Sequence, residues 1–107
     1  FGNNDRNENG LKEVCEEFNF HFQEPPFLIN LFNKRIAIFH EPDYIEEYLY
    51  KNSNIDLVLF GHTHRYTEET KNKVLYFNPG ESAGFFEGKN ALGIVDLDNL
   101  EVKRIFF

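Results

Sequence analysis

Methionine and tryptophan are absent from this sequence, cysteine occurs once, and no apolar run is long. A single cysteine, Cys15, excludes an intrachain disulfide and suits a reducing compartment. No stretch approaches the roughly 18 apolar residues of a membrane helix, and no signal-peptide pattern is present. Basic residues are scarce, 11 against 18 acidic ones, for a formal net charge of −7. That excludes attachment to nucleic acid through a broad basic surface. It does not exclude a substrate phosphate held by metal ions, which bring their own positive charge. With no methionine, the chain opens on Phe1-Gly2-Asn3-Asn4-Asp5, which reads as a strand end running into a loop. The expectation is therefore the carboxyl-terminal part of a longer polypeptide. What is abundant is phenylalanine, 13 residues, enough to core one small domain over residues 1–107.

Periodicity organises the rest. Leu11, Val14, Cys15 and Phe18 repeat at i, i+3, i+4 and i+7, one apolar face of a helix. Cys15 on that face reads as core packing. Pro25-Pro26 forbids helix there. Phe27 to Phe32 and Arg35 to His40 read as a hairpin turning at Asn33-Lys34. Glu41-Pro42-Asp43 is expected to open a second helix, with Tyr44, Ile45, Tyr48 and Leu49 as its buried face. Ile55 to Phe60 has five apolar residues in six and reads as a buried strand. Arg65 to Asn72 suits a solvated hairpin, and Lys73 to Phe77 a strand ending at Asn78-Pro79-Gly80. Glu81 to Asn90 is loop, and Ala91 to Leu97 with Leu100 to Phe107 makes a last hairpin.

Polar residues follow the strands. Gly61-His62-Thr63-His64 comes directly after Ile55 to Phe60. Gly61 lets the backbone turn sharply or approach an ion. Imidazole is the commonest metal-ligating side chain. Two of them with one residue between can serve one ion, or one each of a pair. A surface loop with two solvated histidines fits the same four residues. His40 follows Arg35 to Phe39, Asn78 follows Val74 to Phe77, and Asn3 stands just past Phe1. In open α/β sheets, ligand sites lie outside the carboxyl ends of strands. Asn3, His40, His62 and His64 are therefore expected to converge. Three imidazoles and one amide oxygen suit Zn, Fe, Mn, Ni or Co better than Cu(I). His21, between Phe20 and Phe22 and outside every motif, reads as structural.

In order and spacing, Gly2-Asn3-Asn4-Asp5, His40, Gly61-His62-Thr63-His64 and Asn78-Pro79-Gly80-Glu81-Ser82 resemble the calcineurin-like metallophosphoesterases. The chain also resembles the small prokaryotic YfcE-type phosphodiesterases. Over nearly the whole chain, the resemblance implies an α/β (α+β) fold, a β-sandwich flanked by helices, incomplete here on its amino-terminal side. It implies two divalent transition-metal ions, Mn, Ni, Zn or Fe. Asn3, His40 and His62 are implied as ligands of one ion and His64 of the other. The family's Asp-x-His and Gly-Asp motifs, which supply the remaining ligands, do not occur in these 107 residues. A second departure is Glu41-Pro42 after His40, where the family usually has glycine.

The implied function is a cytoplasmic metal-dependent phosphodiesterase acting on a small-molecule phosphodiester. A hydroxide held by two ions about 3.5–4 Å apart is the implied nucleophile. Many relatives have a histidine where this chain has Asn4, so Asp5 or a histidine is the candidate proton donor to the leaving oxygen. Lacking the second ion's carboxylates, the chain alone is expected to be inactive. Uncovered sheet edge and apolar surface are expected to favour self-association. No membrane partner is expected. The alternative is a non-catalytic scaffold or protein-interaction subunit on the same fold.

Overall fold

The computed structural model describes residues 10–20 and 24–107. Helix α1 (Leu11–Glu17) precedes β1 (Phe27–Leu31), β2 (Lys34–Ile38) and α2 (Ile45–Lys51). Then come β3 (Leu57–Leu59), β4 (Thr67–Lys71), β5 (Val74–Asn78), β6 (Ala91–Asp96) and β7 (Glu101–Phe106). The first five strands form one sheet in the order β1-β2-β3-β5-β4, and β6-β7 form a separate hairpin. Strands β2, β3 and β5 are parallel, so their carboxyl ends share one edge. Strands β1 and β4 flank them antiparallel.

Alternation along the strands divides the core in two. Ala37 and Val58 join Phe39, Ile45 and Ile55 on the side of α2, where the Phe39 and Tyr48 rings meet edge-to-face with centroids 5.3 Å apart. Ile36, Leu57, Leu75 and Phe77 point the other way, against Val95, Leu97, Leu100 and Val102 of the β6-β7 hairpin. Leu57 and Val58 are consecutive and both buried, one in each cluster. Burial of each such side chain contributes about 1.5–3 kcal/mol. The result is a mixed α/β sandwich with a helix on one outer face. The hairpin lies close because Gly93 has no side chain: a Cβ there would fall 2.4 Å from the Phe77 ring.

Four expectations shift. The first hairpin turns at Phe32-Asn33, one residue early, and the second at Asn72-Lys73; all four residues have positive φ. Two-residue loops of this kind match strand twist. Helix α2 starts at Ile45, because the Ile45 N–H first closes a tight turn onto the Pro42 carbonyl at 3.2 Å. Helix α1 has the expected span but no buried residue, with Val14 and Phe18 exposed and Cys15 half-buried. Strand β3 is only three residues long, although backbone bonds from Asp56 and Phe60 prolong the pairing at both ends. Among the described residues, no helix is long and apolar enough to cross a membrane.

Candidate metal centre

Parallel pairing continues past the strands and delivers the histidines together. The Phe39 N–H donates to the Leu59 carbonyl at 2.8 Å, and the Gly61 N–H to the His40 carbonyl at 3.0 Å. His40 and the Gly61–His64 loop are thereby fixed in register at the shared carboxyl edge. His40 Nε2 lies 3.0 Å from His62 Nδ1, with the rings inclined at 67°.

The sharp bend of this loop falls just after Gly61, for which the sequence allowed either a sharp turn or a close approach to an ion. A Cβ at Gly61 meets only the His40 carbonyl oxygen, at an ordinary 3.7 Å. It is His62 and His64 that have positive φ, 67° and 57°. The Thr63 N–H closes back onto the Gly61 carbonyl at 2.8 Å, making His62 the centre of a three-residue turn. Such a turn with positive φ is strained. Strain of this sort costs about 1–3 kcal/mol and gathers at functional sites. Here it aims the His62 ring at His40.

The loop has to travel from β3 to β4, and β5 lies between them. It therefore passes over the carboxyl end of β5, where Asn78 stands. Asn78 is 1% exposed. Its side-chain amide donates to the Thr63 hydroxyl at 3.1 Å and reaches the Gly61 carbonyl at 3.4 Å. Its carbonyl oxygen accepts the Gly80 N–H at 2.9 Å. Asn78 thus shapes the site by tying two loops together. Gly80, with φ 103°, then turns the chain so that Glu81 reaches His64, whose Nδ1 lies 2.6 Å from Glu81 Oε2. The Ala83 N–H holds the Glu81 carboxyl below its ordinary pKa; burial opposes this, and His64 and the Ser82 N–H reinforce it. Glu41, next to His40, brings a carboxylate oxygen to 4.0 Å from His62 Nε2.

Two supporting residues were not singled out from sequence. Thr63 is the intervening residue of His-x-His, and its hydroxyl also accepts the Arg65 N–H. Arg104 donates from Nε to the Pro79 carbonyl at 3.0 Å, with its guanidinium stacked on Tyr66 at 3.9 Å and on Phe106 at 4.6 Å. The available signal was parity: Arg104 alternates with Val102 on the inward face of β7. Asn3, Asp5 and His21 lie outside the described residues.

The donor set agrees with a borderline divalent metal. Two imidazole nitrogens bound at about 2.0–2.1 Å in a tetrahedral zinc site stand about 3.3–3.4 Å apart. His40 Nε2 and His62 Nδ1 lie somewhat closer, at 3.0 Å, and share a hydrogen bond. Among the described residues no group of three His, Cys, Asp or Glu side chains converges.

Residues 1–100 match the model of the calcineurin-like phosphoesterase superfamily domain. The chain belongs to that superfamily. It is 31% identical to phosphodiesterase MJ0936 of Methanocaldococcus jannaschii over 98% of its own length. It spans 64% of that relative. A solved archaeal phosphodiesterase superposes on the whole chain with a TM-score of 0.80 at 28% identity, 66% of that structure being covered. The zinc complex of Vps29 from Entamoeba histolytica matches 81% of this chain and 64% of its own at a TM-score of 0.57. At 14% identity, that likeness is one of fold alone.

Proposed function

We propose that this chain forms the histidine-bearing edge of a metal-dependent phosphodiesterase. The observation that carries the reading is the 3.0 Å approach of His40 Nε2 to His62 Nδ1 at the carboxyl edge of the parallel strands. In this reading His40 and His62, with Asn3, hold one divalent transition-metal ion, of the Mn, Ni, Zn or Fe class. His64 serves the other. When bound, such ions supply Lewis acidity to the phosphoryl oxygens and a water-derived nucleophile for in-line displacement. The chain's residues do the orienting. The strained turn at His62 and the Asn78 bridge hold the imidazoles in place before any ligand arrives. Asp5 is the candidate to protonate the leaving oxygen.

The substrate proposed is a small-molecule phosphodiester in the cytoplasm. The activity named for the archaeal relative supports a diester, and the net charge of −7 argues against nucleic acid. Neither Asp-x-His nor Gly-Asp occurs in these 107 residues, so the carboxylates for the second ion come from outside this sequence.

The test has two arms. The chain should bind one Mn²⁺ or Zn²⁺ by calorimetry, and His40→Ala or His62→Ala should abolish it. Turnover of an aryl phosphodiester should appear only when a segment carrying Asp-x-His and Gly-Asp is fused ahead of Phe1. Unchanged binding in both variants, or equal turnover with and without the added segment, sinks the assignment. A fused protein that binds two ions and turns nothing over favours the scaffold.

A further inference from the structure

We propose that Glu81 is a positioning residue that selects the Nδ1–H tautomer of His64 and so leaves its Nε2 lone pair available to a cation. The inference rests on the metal-dependent reading above and adds a residue to it. An ionised carboxylate only accepts hydrogen bonds. With Glu81 Oε2 at 2.6 Å, His64 Nδ1 has to be the donor. In the neutral ring the other nitrogen, Nε2, is then the one able to bind a cation.

Glu81 is itself fixed from several sides. Its second carboxylate oxygen, Oε1, accepts the Ala83 N–H at 2.6 Å. Its backbone carbonyl accepts the Ala91 N–H, at the start of β6, also at 2.6 Å. Before it, Gly80 is capped by the Asn78 side chain, and the Pro79 carbonyl is held by Arg104. Gly80 has almost no room for a side chain, since a Cβ would come 3.2 Å from Arg104 Nη2 and 3.4 Å from the Tyr66 nitrogen. The carboxylate is thus held in advance of His64.

As a salt bridge the pair contributes little, because the His64 side chain is 53% exposed. Its effect is orientational. Ligating histidines commonly donate their second ring nitrogen to a carboxylate, and losing that partner costs about 10–100-fold in metal affinity. His62 shows the opposite arrangement, with Nδ1 facing His40 and Nε2 on the Glu41 side. Of the two histidines of the motif, only His64 therefore has a carboxylate within hydrogen-bond distance among the described residues.

Nitrogen-detected NMR of the metal-free chain, about two pH units above the ordinary imidazole pKa, tests this directly. His64 should be the Nδ1–H tautomer in the wild type. Glu81→Ala should convert it to mainly Nε2–H, while Glu81→Gln, which keeps an acceptor oxygen, should retain Nδ1–H. In the protein fused to the Asp-x-His and Gly-Asp segment, Glu81→Ala should weaken binding of the second Zn²⁺ about 10–100-fold with the first unaffected. The same His64 tautomer in wild type and Glu81→Ala overturns the proposal, as does unchanged affinity for both ions. If the wild type binds no metal, the phosphodiesterase reading fails instead, and the tautomer measurement still decides the role of Glu81.

Discussion

Asn78, at the end of β5, supports Thr63 from beneath: its amide donates to the threonine hydroxyl at 3.1 Å across fifteen residues of chain. The same amide reaches the Gly61 carbonyl, and its oxygen receives the Gly80 N–H. Leaving buried partners unsatisfied costs about 1–3 kcal/mol. Asn78→Ala should lose stability in that range by urea unfolding. Asn78→Asp should lose it too, since a carboxylate oxygen then faces the Gly61 carbonyl. A midpoint unchanged in both variants contradicts the bridging role.

His62 carries its turn at φ 67°. Glycine adopts this region without the Cβ penalty, which is about 1–2 kcal/mol for other residues. His62→Gly should therefore be more stable than His62→Ala by about 1 kcal/mol, although both lose the approach to His40. Equal stabilities of the two variants would mean that the turn is relaxed.

Gly93 is a point of close approach between the two sheets. A methyl group at this position meets the Phe77 ring at 2.4 Å. Overpacking of this kind costs about 1–3 kcal/mol. Gly93→Ala should be destabilised accordingly, and less so in a Phe77→Leu background. A double-mutant cycle with no coupling would place the hairpin elsewhere.

Tyr76, on the α2 side of the sheet, has its pKa raised above 10.0, first by burial. Lys71 pulls the other way, and Glu46 and Glu69 add to the rise. The folded state thus favours the neutral phenol. That stability is fully present below pH 10 and is lost as pH rises through the folded pKa. In alkaline unfolding curves, Tyr76→Phe should decline less steeply than the wild type above pH 10. Parallel curves would count against it.

Much of this fold is legible from local pattern. Ile55 to Phe60 and Ala91 to Leu97 read as strands because their side chains suit a sheet; the second lies nearly where expected, and the first contains the shorter β3. His40 and His62, placed by sequence just past strand ends, come within 3.0 Å of each other because β2 and β3 are parallel. The misplaced helix start at Glu41 has a local cause. Proline suits a first helical turn and a tight turn equally, and here the turn forms.

Sequence by itself determined which residues alternate, where the strands stop and which polar groups follow them, because periodicity and turn chemistry act over a few residues. Tertiary structure alone decided that the loop after β3 crosses over β5. That follows from the strand order β3-β5-β4, which no local pattern encodes. From that crossing come the burial of Asn78 and the meeting of His64 with Glu81, seventeen residues on. It also decided which ring nitrogen meets a neighbour, Nδ1 of His62 at His40 and Nδ1 of His64 at Glu81, since hydrogen bonds between distant segments depend on register and loop path.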